Sequence, residues 1–346
     1  MHRRRFLGSI SALAGAVALR ARDAYAQAKP LAFADMHSHI GILSAPADVH
    51  ATMVANGVLV IARKIVADLP VIRRIPNQGV QQVREPAPGE LASRFDATFA
   101  RLQAEHKAQN LIEIVDAEAL ARVMSGQNPA VVLAAEGADF LEGDLKRLEA
   151  ARRNGLVHLQ LVHYRVSELG DISTERPVHN GFTPFGKDVI AACNRLGILV
   201  DIAHATSDGI AQALEISAKP MIYSHGHMTG TNPYWTQGGL RARAIHTPLA
   251  KRVAEKGGVI GLWPLTLQYR SLEVYAGALL DLAAAVGAAH VGVGSDMFGL
   301  PASVIPAYQQ FGELEQLLAR RGARPEDVRN ILGANYLRVL KNALTV

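Results

Sequence analysis

The sequence has a single cysteine, Cys193, so no disulfide framework can form within the chain and no cysteine-rich zinc module is encoded. It lacks any glycine-period or low-complexity repeat, which excludes collagen-like and linker-like classes. Charged residues make up only 19% of it against 49% hydrophobic, too little charge and too much apolar surface for a disordered chain. Beyond the N-terminal stretch, no apolar run approaches the roughly 20 residues that a membrane helix needs. The net charge of +5 hints at nucleic acid, but residues 1–28 hold five arginines and one acid, Asp23. Without them thirty-one basic residues face thirty acidic ones, a net of +1 that offers phosphate backbones no electrostatic footprint.

That N-terminal stretch has its own logic. Arg3, Arg4 and Arg5 precede Phe6-Leu7, the run to Leu19 is apolar but too short to span a bilayer, and Ala26-Gln27-Ala28 forms a small-x-small cleavage site. This is the layout of a twin-arginine signal peptide, residues 1–28, an address for folded proteins. It predicts export to the periplasm or the outside, and no stable membrane span after cleavage.

The remaining chain, residues 29–346, shows no interior linker and is expected to be a single domain. From Leu31 onward, short apolar runs alternate with longer amphipathic segments. Strands are predicted at Leu31 to His37, Val58 to Ile65, Val131 to Glu136, Leu156 to His163, Ile198 to His204, Pro220 to His225, Gly258 to Trp263 and His290 to Asp296. Helical spacing marks Gly186 to Leu196, Asp208 to Ile216, Pro248 to Lys256 and Leu272 to Val286. Eight strands alternating with helices predict an α/β fold, a (β/α)8 TIM barrel. Ala67 to Arg94, rich in charge and proline, reads as an irregular insertion, and Pro325 to Leu344 as two helices.

The predicted strands end in polar residues of one chemical kind: His37-Ser38-His39, Glu136, His163, His204, His225 and Asp296. In a barrel all these ends share one face, so six segments deliver imidazoles and carboxylates to one mouth. Such donors suit zinc or another first-row divalent ion. Alternation puts His37 and His39 on one side, while Ser38 faces away. His204 and His225 could hold a second ion, with Glu136 giving one oxygen to each. Two ions sharing a hydroxide provide a nucleophile at neutral pH. Singly, each residue has a plain structural alternative. His158 and His290 suit packing or surface roles, His227 a loop, and His50, His106 and His179 the surface; six coincident strand ends are harder to dismiss.

With those residues in place, the chain resembles the membrane (renal-type) dipeptidases, binuclear zinc enzymes of the amidohydrolase superfamily. The likeness runs from Phe33 to the C-terminus and is weakest from Gly57 to about Leu120. Its most specific stretches are Pro184-Phe185-Gly186-Lys187 to Asn194-Arg195-Leu196-Gly197, Val200-Asp201-Ile202-Ala203-His204, Pro220-Met221-Ile222-Tyr223-Ser224-His225, Gly292-Val293-Gly294-Ser295-Asp296 and Gly333-Ala334-Asn335-Tyr336. The resemblance implies that His37 and the bridging Glu136 hold one zinc, and Glu136, His204 and His225 the other. It makes His163 a support for the oxyanion, Arg243 (with Arg241 as fallback) the partner of a dipeptide carboxylate, and Asp296 the proton shuttle. It is also compatible with a homodimer.

Three departures stand out. His39 replaces the family's aspartate, leaving the site one unit more positive; metal binding should survive, because His-x-His is the commoner superfamily form. The added charge is expected to acidify the bridging water and draw Asp296 toward the first ion. Phe298 replaces an acid, and Ala62-Arg63-Lys64-Ile65 replaces an aromatic and glycine stretch. The leading expectation is therefore an exported zinc dipeptidase acting on a small-molecule substrate. The rivals are a binuclear amidohydrolase for another small amide, an N-acyl amino acid or a lactone, and a periplasmic binding protein or inactive relative.

Overall fold

The computed structural model describes residues 33–345, apart from 77, 127, 230–240 and 300–301. The predicted signal segment, residues 1–28, lies outside the described residues, as do the first two residues of the first predicted strand.

The strands in chain order are β1 (Phe33–Ser38), β2 (Val58–Val66), β3 (Ile72–Ile75), β4 (Gly79–Gln82), β5 (Ile112–Glu113), β6 (Ala130–Glu136), β7 (His158–Gln160), β8 (Leu199–Asp201), β9 (Ile222–Met228), β10 (Ala244–Ile245), β11 (Val259–Leu262) and β12 (Val291–Val293). Eight of them pair in parallel in the order β1-β2-β6-β7-β8-β9-β11-β12. A parallel bridge between Ser38 and Met297, with Asp296 N–H donating to the His37 carbonyl at 2.9 Å, closes β12 back on β1. This is the predicted eight-stranded barrel. Strands such as β2, Val-Leu-Val-Ile-Ala-Arg-Lys-Ile-Val, are buried along their whole length, as parallel strands covered on both faces must be.

The helices begin where short polar side chains cap them. Thr183, Thr206 and Ser271 accept from the backbone N–H three residues on, opening Pro184–Leu196, Ser207–Ile216 and Leu272–Val286. The C-terminal helix, Asn335–Leu344, packs Tyr336, Val339, Leu340 and Ala343 onto the barrel core beside Ala34, Val60 and Val132.

Several barrel strands are shorter than the apolar runs suggest, because buried aspartates take over backbone donors. Asp35 accepts from His37 and Ser295 N–H, and Asp201 from Ala203 and Ser224 N–H. β8 stops at Asp201 and β12 just before Ser295, so His204 and Asp296 lie just beyond their strands, as His163 does beyond β7. Gly294 makes the close approach after β12 possible: a Cβ there would sit 2.0 Å from the Ser224 carbonyl oxygen.

Three expectations need correction. The stretch from Ala67 to Arg94 is ordered, comprising a turn at Leu69–Val71, the antiparallel β3–β4 hairpin and the start of the helix Glu90–Ala108. Its charges mark exposed positions such as Arg73 and Arg74 rather than irregularity, while Ile72 between the turn and Arg73 is buried. The helix is capped from afar, by Glu142 accepting from Gly89, Leu91 and Ala92 N–H. His227 lies in β9, buried and stacked on Trp263, not in a loop. His106 is buried rather than superficial, its Nε2 2.7 Å from Arg63 Nη1 and its Nδ1 2.6 Å from Glu113 Oε1. No described helix is long and apolar enough to cross a membrane.

Candidate metal centre

His37 is the last residue but one of β1 and His39 lies just beyond it; their Nε2 atoms lie 3.2 Å apart, while the Ser38 hydroxyl turns to Tyr308 at 2.9 Å. His204 and His225, from β8 and β9, bring their Nε2 atoms within 3.3 Å. Glu136, the last residue of β6, stands between the pairs. Its Oε2 is 3.1 Å from His39 Nε2, and its Oε1 is 3.3, 3.5 and 3.6 Å from the Nε2 atoms of His37, His204 and His225. Asp296 Oδ1 approaches His39 Nε2 at 3.2 Å and His37 Nε2 at 3.7 Å. All six side chains are buried. Among the described residues, three sets of donors lie close enough for one ion: His37, His39 and Glu136; Glu136, His204 and His225; and His37, His225 and Asp296.

The far sides of the rings are anchored. His39 Nδ1 donates to the Lys64 carbonyl (2.8 Å) and His204 Nδ1 to the His163 carbonyl (3.1 Å). These bonds place a proton on Nδ1, so that Nε2 of each ring faces the centre, with a lone pair free to hold an ion when the ring is neutral. Ser224 Oγ lies 3.2 Å from His37 Nδ1 and 3.0 Å from His225 Nδ1, with lone pairs for both. Burial lowers the pKa of His37, and holds His204 and His225 well below the ordinary imidazole value. At His39 burial also acts downward, but the Asp296 and Glu136 carboxylates overcome it and push the ring up to about 10. The field there favours positive charge. Convergent imidazole lone pairs around two buried carboxylates are a donor set that fits divalent zinc-type ions.

Backbone conformation sharpens the picture. His204 (φ 68°), Asp296 (φ 48°) and Phe298 (φ 68°) occupy the left-handed region that side chains other than glycine seldom adopt. Such strain persists where surrounding structure over-determines it, commonly at functional sites.

The structure brings the remaining predicted residues to the same place. A cavity of about 260 Å³ is lined by His39, Glu136, His163, His204, Arg243 and Asp296. Arg243, in the turn Arg241–Arg243, is buried with its guanidinium carbon 4.9 Å from the Trp263 ring centroid. Its Nη2 contacts His225, whereas Nε and Nη1 make no hydrogen bond. The Arg241 side chain lies outside the described residues. His163 Nε2 is 3.5 Å from Glu136 Oε1, and its Nδ1 meets Asp68 Oδ1 at 2.7 Å. Burial opposes the charged ring, yet Asp68 and Glu136 raise its pKa.

Asp68 was not singled out by sequence. Its other oxygen accepts from Tyr164 N–H at 2.9 Å, so one carboxylate sets the position of both residues after β7. The available signal was its place two residues past β2, the rim of a barrel strand. Lys64 is the second omission. Its buried ammonium bonds Asp201 Oδ2 at 2.7 Å and His158 Nε2 at 3.0 Å, inside the barrel formed by β2, β7 and β8. Despite desolvation, Lys64 and His158 hold the Asp201 carboxyl far below its usual range.

Comparison with known proteins gives a consistent picture. The sequence profile of the membrane dipeptidases (peptidase family M19) matches residues 94–346. The chain is 26% identical over 250 residues to dipeptidase tcpJ of Claviceps purpurea, covering 70% of this chain and 55% of that protein. It spans about half the length of the curated relatives it matches. Among solved structures, a metallopeptidase from Rhodobacter sphaeroides, liganded with a phosphinate mimic of L-Ala-D-Ala, superposes with a TM-score of 0.77 at 19% identity, covering 91% of this chain and 100% of that one. An amidohydrolase from Pseudomonas aeruginosa gives 0.74 at 18% identity, covering 91% and 97%. The barrel, its rim of histidines and carboxylates, and a profile match across most of the chain agree: this protein belongs to the membrane dipeptidase family.

Proposed function

We propose that the protein is an exported zinc dipeptidase that hydrolyses the amide of a dipeptide bearing a free carboxylate. One observation carries this reading: four imidazole Nε2 atoms surround Glu136, and the cavity that Glu136 lines is also lined by buried Arg243, whose Nε and Nη1 make no hydrogen bond. His37, His39 and Glu136 would hold one zinc, and Glu136, His204 and His225 a second. When bound, the ions supply Lewis acidity toward the scissile carbonyl and acidify water. The rest is the work of the chain's own side chains. Arg243 presents a planar fork to the substrate carboxylate, with Trp263 stacked beneath it. His163, held by Asp68, directs Nε2–H at the developing oxyanion. Asp296 takes the proton from the attacking water and returns it to the departing amine. The twin-arginine layout of residues 1–28 supports export, and the phosphinate-bound relative supports a dipeptide-sized substrate.

A second reading, an N-acyl amino acid hydrolase, draws on one feature. Phe298 takes the place of an acid and is 45% exposed, and among the described residues the carboxylates lining the cavity are Glu136 and Asp296. Metal analysis of the purified protein, with a screen of L,L-dipeptides, L,D-dipeptides and N-acyl amino acids, tests both. Two metals per chain with turnover of free dipeptides is expected. In Arg243→Ala, KM for free-carboxylate dipeptides should rise about 100-fold or more, as loss of a charge-paired contact implies. Unchanged kinetics in that variant would sink the carboxylate assignment.

A further inference from the structure

We infer that the cavity selects dipeptides whose N-terminal residue carries a large apolar side chain, and that the β3–β4 hairpin makes this selection. The inference rests on the dipeptidase reading and extends it to substrate class.

The cavity has two unlike sides. Arg243 stands on the β9 side, beside Trp263 and His225. On the β1 and β2 side, the wall is Leu43 after β1, Val66 at the end of β2, and Leu69, Ile72 and Val80 of the hairpin segment, while Tyr164 after β7 reaches from this wall toward His204 and Arg243. All six belong to one apolar cluster. A dipeptide anchored at Arg243 by its C-terminal carboxylate, with its amide over Glu136, extends its N-terminal residue toward that wall. Strand order enforces this, because β2, β6 and β7 stand together in the barrel while β9 is two places past β7. The cavity volume of about 260 Å³ is just under the roughly 300–1,000 Å³ usual for ligand pockets, which suits two residues and no longer peptide.

Charge adds a second criterion. Arg73 and Arg74 also line the cavity, and both are exposed. Arg73 is committed in part to the carbonyls of Leu69 and Ile72. A lysine or arginine side chain reaching past the apolar wall meets two guanidinium groups; a leucine or phenylalanine stops short of them. The hairpin lies before residue 94, where the match to the family profile begins.

The test is a comparison of kcat/KM for Leu-Ala, Gly-Ala and Lys-Ala on the zinc-loaded protein, repeated for Val80→Asp and Leu43→Ala. Wild type should prefer Leu-Ala over Gly-Ala by roughly tenfold or more, the scale at which apolar pockets discriminate side chains. Lys-Ala should be the poorest of the three. Val80→Asp should raise KM for Leu-Ala and move the Lys-Ala to Leu-Ala ratio upward. Leu43→Ala, outside the hairpin and gentler on folding, should shrink the Leu-Ala to Gly-Ala ratio several-fold. Equal use of Leu-Ala and Gly-Ala, or ratios unmoved in both variants, overturns the inference while leaving the dipeptidase reading intact. No turnover of any dipeptide by metal-loaded wild type overturns both.

Discussion

The two halves of the candidate metal centre share Glu136 but differ in their neighbouring charges. Beside His37 and His39 stands a second carboxylate, Asp296, which helps push His39 up to about 10, while burial still lowers His37. Around His204 and His225 the neighbours are Arg243 and His163, and both rings stay well below the ordinary value. Burial alone lowers every buried imidazole. What sets His39 apart from the other three rings is the second carboxylate beside it, placed by a different strand. On the proposed reading, the side beside Asp296 would favour an added cation and the side beside Arg243 the carboxylate of a substrate.

Removing the shared residue should break the comparison most completely. In Glu136→Gln both halves lose their common charge, so metal content should fall at both sites and turnover should drop by about 1,000-fold or more. Two metals per chain with normal activity would show that Glu136 bridges nothing. A graded chelator series should separate the halves. The ion beside Arg243 should leave at about tenfold lower chelator concentration, passing through a one-metal state visible by metal analysis, since a nearby cation weakens cation binding. Simultaneous loss would mean that the difference in neighbouring charge is screened out. The smallest effect is expected from Asp68→Asn, which keeps every ligand and loosens only the support of His163 and its neighbour Tyr164. Its kcat should fall about tenfold with metal content unchanged, the lower end of the cost of losing a supporting hydrogen bond.

How much of this was legible beforehand follows from how local each signal is. His-x-His, Glu136 and Asp296 could be read as strand-end residues, since alternation and barrel topology send them to one rim whatever the details. The hairpin at 72–82 was misread because its charges and prolines look irregular one by one, and its order comes from packing Ile72 and Val80 with Val66 and Tyr164. Arg63 and Lys64 look like exposed charges in sequence, yet both are buried, satisfied by Ile40, His106 and Glu105 and by Asp201 and His158 respectively. No periodicity announces a partner 137 residues away.

By itself the amino-acid order determined the alternation of strand and helix, the barrel that follows from it, and the kinds of donor atom that reach its rim. These depend on short-range spacing and on handedness, which any compact form of the chain must obey. Tertiary structure alone decided which charges neighbour which imidazoles, that Asp68 steadies His163, and that residues of the β3–β4 hairpin line the same cavity as Arg243. Electrostatic fields and cavities arise from distances between segments far apart in the chain, and such distances exist only once the barrel has closed.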